Sequence, residues 1–408
     1  MIRSIVMPPA PVDIIAPAFK ADPFPYYARL RAEAPVFRTK LEDGRTVYFV
    51  TRYDDVVSVL KDPRFVKDRT KVLTPEQEAK QPWVPAFLKP LERNMLDVDE
   101  PDHRRLRNLI HQAFTPRMVE DMRARVQAIA DELIGNVASR GRMDIVRDFA
   151  LPLPLTVIAE LLGIPEEARP RYHRFSNALM QTTSNVKMLL SLPLFWFTVR
   201  DLRKLIAEKR ARPRNDLITA LAQAEAEGSQ LSENELLAMI ILLTVAGHET
   251  TVNLIASGTL ALLQHPRELE RLRKDPTLIK SAIEELLRFT NPVETATERY
   301  ASEDVELAGV TIPRGELVLV VLASANRDAA QFEDPDKLDL TRDPNRHVAF
   351  GQGIHYCLGA PLARLEGQIA LATLLGALPD LRLDAAPHTL RWRPTYIVRG
   401  LEALPVAF

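Results

Sequence analysis

Apolar positions recur three and four residues apart through most of the chain up to residue 290, the spacing that gives an α-helix one buried face. This pattern predicts helices over residues 24–34, 53–60, 102–114, 116–137, 155–162, 166–180, 189–210, 216–226, 232–264, 266–274 and 276–289. Thr115-Pro116 marks the start of one of them, a capping hydroxyl followed by proline at the first helical position. Two stretches read differently. Residues 36–40 and 46–50 are β-prone runs on either side of Asp43-Gly44, a hairpin signal. Residues 305–307, 311–312 and 317–322 are short β-prone runs set apart by Gly309 and by Pro313, Arg314 and Gly315. Residues 329–353 then carry Pro335, Pro344, Gly351 and Gly353 with little periodicity, and a loop of that length inside a compact protein is usually functional. A helix over 362–378 follows. No repeat or Ser/Gly linker interrupts the chain, so the expected architecture is a single, mainly α unit over 1–408. A small β-rich flank at about 36–50 and 295–322 would sit beside a helical body over 53–290.

Composition narrows the class. Hydrophobic residues make up 46% and charged ones 26% of the 408, which excludes a disordered, collagen-like or coiled-coil chain. Lys and Arg total 53 against 54 Asp and Glu, so there is no global basic excess to bind nucleic acid or an anionic membrane, and an electrostatic partner must read a local patch. The first 20 residues lack the continuous apolar stretch of a secretory signal. The apolar stretch 188–199 contains Pro193 and falls short of the ~20 residues needed to cross a bilayer. A cytoplasmic protein with no membrane span and no nucleic-acid partner is expected. A single cysteine excludes an intrachain disulfide and a multi-Cys zinc or iron-sulfur site, leaving single-thiolate chemistry.

That cysteine, Cys357, lies in Phe350-Gly351-Gln352-Gly353-Ile354-His355-Tyr356-Cys357-Leu358-Gly359, just ahead of a helix. Amides at a helix start and the positive end of its dipole stabilise a thiolate, and Gly351, Gly353 and Gly359 let the backbone approach a large flat group. Such a thiolate serves either as a nucleophile or as a soft axial ligand to haem iron, and the second role needs only the sulfur and a tight glycine-bearing loop. The run fills every fixed position of a known pattern: Phe, two variable residues, Gly, any residue, His or Arg, any residue, Cys, any residue, Gly. It resembles the haem-binding signature of the cytochrome P-450 superfamily.

The resemblance covers nearly the whole chain. It implies a triangular helical prism crossed by a long central helix, with haem b held by Cys357 and cradled by Phe350, Gly351 and Gly359. The 232–264 helix, about 50 Å long at 1.5 Å per residue, fits the central position. Its apolar sequence is interrupted by Ala246-Gly247-His248-Glu249-Thr250-Thr251. Gly247 weakens the helix and the Thr250 hydroxyl can bond the Ala246 carbonyl, opening a groove for dioxygen and water. The segment is similar to the family's oxygen-activation motif, which assigns proton delivery to Glu249 and Thr250 and places Ala246 and Gly247 against the haem.

Glu285 and Arg288 stand at i and i+3, an ordinary surface pairing on most helices; the resemblance implies a buried triad with Arg342. It likewise implies that His103, Arg107, Arg299 and His355 neutralise the two haem carboxylates. Residues 103–119 hold Arg104, Arg105, Arg107 and Arg117 and no acid. With Arg364 they read as a docking patch, where the resemblance implies an acidic electron carrier, a ferredoxin or flavodoxin fed by its reductase, so that NAD(P)H acts only indirectly. Phe87, Leu243, Val293, Glu294 and Ile397 are the substrate-pocket candidates; Glu294 reads either as recognising a basic group or as solvated. Trp83, Met188, Leu189, Leu192, Leu194, Phe195 and Trp196 read equally as pocket or core. The implied activity is insertion of one oxygen atom from dioxygen into a fatty acid, terpenoid, steroid or polyketide by a monomer. The rivals are a peroxide-driven hydroxylase, which the acid–threonine pair disfavours, and a haem-thiolate sensor, for which no output domain is seen.

Overall fold

The computed structural model describes residues 13–41, 44–79, 84–85, 87–89, 93–181, 185–226 and 228–408. The helical periodicity materialises as Phe24–Glu33, Tyr53–Lys61, Asp102–Ala113, Pro152–Leu162, Arg169–Gln181, Asn185–Ala211, Glu233–Gln264, Pro266–Lys274, Ile279–Thr290 and Ala360–Ala377. Three expectations change. The run expected over 116–137 is two helices, Pro116–Asp121 and Arg123–Gly135. Thr115 caps the first by accepting the Met118 amide at 3.2 Å, and the chain tightens at Met122, whose amide bonds the Val119 carbonyl at 3.2 Å. The helix expected over 216–226 stops at Gln223, and Glu225–Ala226 pairs with Ser229–Gln230 across Gly228, whose φ of +73° favours the turn. After Val320 the strand gives way to a short helix, Leu322–Ala325.

The chain condenses into two compact units interleaved along the sequence. One comprises Met1–Lys80, Ala130–Ala150 and Thr250–Phe408; the other comprises Gln81–Ile129 and Leu151–Glu249. The first holds a five-stranded sheet ordered Val36–Lys40, Thr46–Val50, Leu317–Val320, Arg299–Ala301, Phe65–Val66. Val36 pairs with Val50 in the antiparallel hairpin, Leu317 runs parallel to Val47, and Leu317 lies antiparallel to Tyr300. Asp43 of the hairpin turn lies outside the described residues. Side chains alternate between two cores, as a pleated strand requires. Tyr48, Val50, Val318 and Val320 pack with Tyr53, Val56, Leu60 and Phe332, whereas Val47, Phe49, Leu317 and Leu319 pack with Phe19, Tyr27 and Leu30. A second sheet, Arg382–Leu383 with Pro405–Ala407 and Arg142–Asp144, was not expected, because strands of two or three residues leave no periodic trace.

Among the described residues, the regular structure of the other unit is helical apart from the small Glu225–Gln230 hairpin. The long helix Glu233–Gln264 runs unbroken and contributes residues 233–249 to this unit and 250–264 to the first. Among the described residues it is the one helix long and apolar enough to cross a bilayer, and 67% of its most apolar window is buried, so it is a core helix.

Candidate active site

The cysteine loop is fixed from within its own unit. Asn326 draws the Val348 amide onto its side-chain oxygen at 2.8 Å, the Gly351 amide bonds the Val348 carbonyl at 2.8 Å, and the Cys357 amide returns to the Phe350 carbonyl at 3.0 Å. Gly353 has φ +75°, and a Cβ there would stand 2.6 Å from the Leu60 carbonyl oxygen, so this corner requires glycine. The loop delivers Cys357, half-buried, three residues before the helix Ala360–Ala377, whose first turn contains Pro361. A Cβ on Gly359 would lie 4.0 Å from the Cys357 sulfur, so a small residue leaves the thiol's flank open. Behind the loop, Glu284 accepts from Arg364 at 2.7 and 2.8 Å and lies 3.0 Å from the His347 ring. Burial alone would raise the Glu284 carboxyl; Arg364 and His347 outweigh it and hold the group at about 2. The Arg364 guanidinium also sits 4.5 Å from the centre of the Phe350 ring, the first residue of the signature.

Glu285 and Arg288 are fully buried and make two contacts of 2.7 Å. Arg342 reaches Glu285 at 3.2 Å, and Asn345 and the Asp339 amide occupy the remaining acceptor positions at 3.1 and 3.0 Å. Arg288 spends its other donors on the carbonyls of Asn326, Pro335 and Lys337 at 2.7 to 3.0 Å. The triad therefore crosslinks the helix Ile279–Thr290 to the irregular 326–345 segment that precedes the cysteine loop.

On the long helix Ala246 is exposed and Leu243, Gly247 and Thr250 are half-buried, whereas His248, Glu249 and Thr251 are buried. Positions 243, 246, 247 and 250 share one face, so this mostly buried helix keeps an open strip there lined mainly by small residues. The helix shows no break there; its side-chain bonds to the preceding turn include His248 to the Thr244 carbonyl and Thr244 to the Ile240 carbonyl, both at 2.7 Å. A Cβ on Gly247 would meet Ile158 at 3.2 Å, so this glycine also permits close packing against Pro152–Leu162. One residue escaped the sequence reading. Glu366, from the helix after the cysteine, is fully buried, and burial lifts its carboxyl to about 8 against a weaker opposing pull from the nearby Thr251. A lone acid within the apolar run 362–378 was the available signal.

The four expected carboxylate ligands divide between the units. His103 and Arg107 lie on Asp102–Ala113, with His103 buried and its ring pKa lowered by burial and by Arg107. Arg299 is buried on the central sheet, donating to the Thr297 carbonyl at 3.3 Å, and His355 is half-buried in the cysteine loop. The basic patch is weaker than its sequence suggests. Arg105 pairs with Glu235, Arg364 with Glu284 and Arg104 with Glu100 at 3.1 Å, leaving Arg117 exposed. Two of those acids come from distant elements that the local run could not reveal.

Glu294 is corrected outright: it is neither solvated nor open to a ligand. Its carboxylate is buried against the Lys20 ammonium and the Tyr27 hydroxyl, with Arg399 nearby, because an N-terminal helix covers it. Its neighbours Val293 and Ile397 stay half-buried, as do Leu243 and Phe87. Leu189 and Trp196 face solvent at 66% and 47% exposure, while Phe195 is core. Trp83 and the Met188 side chain lie outside the described residues.

A haem suits this donor set. It asks the chain for one soft ligand and a tight glycine loop, which Cys357, Gly351 and Gly353 supply, and for buried cations, of which Arg299 is one. The comparisons agree. The Cytochrome P-450 family model matches residues 203–378. The polyketide biosynthesis cytochrome P-450 PksS of Bacillus subtilis is 46% identical over 393 residues, 95% of this chain and 96% of the relative. Its solved structure superposes with a TM-score of 0.91 at 43% identity, covering 97% of this chain and 99% of that one. Cytochrome P-450 107B1 of Saccharopolyspora erythraea is 47% identical over 392 residues, 95% and 96% of the two chains. The myxobacterial CYP267B1, solved in complex with myristic acid, gives a TM-score of 0.91 at 44% identity over 97% and 98%. Identity close to one residue in two along 95% of the chain leaves one assignment: it belongs to the cytochrome P-450 family, and it is a monooxygenase.

Proposed function

We propose that this chain binds haem b through the Cys357 thiolate and inserts one oxygen atom from dioxygen into a long-chain acyl or polyketide molecule, by hydroxylation or epoxidation. The observation that carries the reading is the placement of the only cysteine: behind a loop whose glycine corner tolerates no side chain, and ahead of a helix start that favours the thiolate. Bound there, a haem would supply the oxidising chemistry, and the Cys357 thiolate would be its electron-donating ligand.

The chain's own residues do the rest. Phe350, Gly351 and Gly359 shape the loop around the sulfur, and Ala246 and Gly247 keep bulky side chains off the open strip of the long helix. His103, Arg107, Arg299 and His355 would take the two haem carboxylates in charge-assisted bonds. Glu249 holds a proton inside the buried face of the long helix, and Thr250, on the open strip, passes it toward the oxygen side. Glu285, Arg288 and Arg342 keep the loop's approach rigid. Leu243, Val293, Ile397 and Phe87, all apolar and half-buried, are the residues for holding a substrate by area rather than by charge. Electrons arrive from a separate ferredoxin or flavodoxin and its reductase, with NAD(P)H acting through them, at a face that includes Arg104 and Arg117. The same reading places a monomer in the cytoplasm.

The substrate class follows the relatives: PksS is named for polyketide biosynthesis, and CYP267B1 was solved with myristic acid. An optical titration of the ferric holoprotein tests it. Fatty acids and polyketide lactones should shift the Soret band saturably toward high spin. Shifts confined to steroids or to cationic ligands would refute the proposed class.

A further inference from the structure

We propose that a hollow on the exposed side of helices Arg169–Gln181 and Asn185–Ala211 binds the head and first carbons of an amphiphilic carboxylate. This inference is independent of which molecule is oxidised. The hollow has a volume of about 300 Å³ and is lined by Arg171, Arg174, Leu194, Phe197 and Arg200. Leu194 and Phe197 give it an apolar side, and Phe197 itself is 43% exposed. Along the same helix Leu189, Leu190 and Trp196 stand 66%, 77% and 47% exposed, an apolar strip of the kind that marks a contact site.

Charge completes the picture. The Arg200 guanidinium lies 5.2 Å from the Trp196 ring centre and 5.0 Å from that of Phe197, partly shielded from water by both rings. Asp201 is shared, pairing with Arg171 and, at 3.3 Å, with Arg200. Among the described residues no carboxylate pairs with Arg174, which is exposed. Three guanidiniums therefore face one carboxylate, and the hollow keeps a positive excess beside apolar surface. An oxyanion accepts paired N–H donors from such guanidiniums, and an alkyl chain covers Leu194 and Phe197. A second copy meeting this face across a two-fold axis would set the same arginines against each other, which disfavours self-association.

The test titrates the holoenzyme with dodecanoate below its micelle concentration while following tryptophan emission, with Trp196→Phe identifying the local signal. A saturable Trp196 response is expected, weakened about tenfold or more in Arg174→Glu/Arg200→Glu and retained in the paired lysine variants. The haem spin response to substrate should stay unchanged in all of them. Equal titrations with dodecanol would overturn the anion site even if the Glu variants failed to fold. So would a response to phosphatidylglycerol vesicles with none to free dodecanoate, which would make the strip a bilayer contact.

Discussion

Glu249 and Thr250 are consecutive on the long helix yet differ in setting, the first buried and the second half-buried on the open strip. That difference suits a relay in which one group stores the proton and the next presents it. Thr250→Ala should leave fold and haem content intact while more reductant is lost as peroxide; product formed per reductant oxidised is the measure, and unchanged coupling would remove Thr250 from the relay. Glu366 makes a prediction about stability. Burial lifts its folded-state carboxyl to about 8 from an ordinary value of 4.5, so the folded protein favours the protonated form. The resulting stabilisation is complete below the unfolded value and is lost as pH climbs through the folded one. Melting temperature should therefore fall between about pH 5 and 8 in the native protein, and fall less in Glu366→Gln, which keeps a neutral group of the same shape. Equal slopes would mean that Glu366 stays ionised in the fold.

At the scale of elements, the Glu285–Arg288–Arg342 crosslink is the most consequential device. It joins one helix to an irregular segment that has no ladder of its own, and every charged atom in it is satisfied by a partner or a carbonyl. Removing one partner from a buried triad costs about 3–5 kcal/mol. Arg288→Ala should accordingly yield little haem-loaded protein, and normal yields with an unaltered spectrum would show that the crosslink is dispensable. The same elements explain what could be read beforehand. Helices with a strong apolar stripe, such as Ile279–Thr290, were legible because burial of one face dominates their sequence. The Glu225–Gln230 hairpin and the Arg142–Asp144 sheet were not, since they rest on a turn and on partners distant in the chain. Charged residues showed the same divide. The i,i+3 spacing of Glu285 and Arg288 was visible, whereas the acids that neutralise Arg105 and Arg364, and the lysine that buries Glu294, are remote in sequence.

For the molecule as a whole, a net charge of −1 leaves docking to local patches, and the candidate docking arginines are largely paired with acids. Reduction by an acidic carrier should slow with added salt, but only moderately, because Arg104, Arg105 and Arg364 are already paired with acids. A stopped-flow rate at two ionic strengths checks this, and a fall of several hundredfold would point to a larger basic surface than Arg104 and Arg117 provide. The central claim, that the single cysteine makes this fold a haem-thiolate enzyme, has a more direct test. The ferrous protein saturated with carbon monoxide should give the long-wavelength Soret band of a thiolate ligand. Cys357→His, with no other cysteine to substitute, should bind haem yet show the short-wavelength band of a nitrogen ligand and lose oxygenase activity. A thiolate-type band that survives this substitution, or one absent from the native protein, would contradict the account.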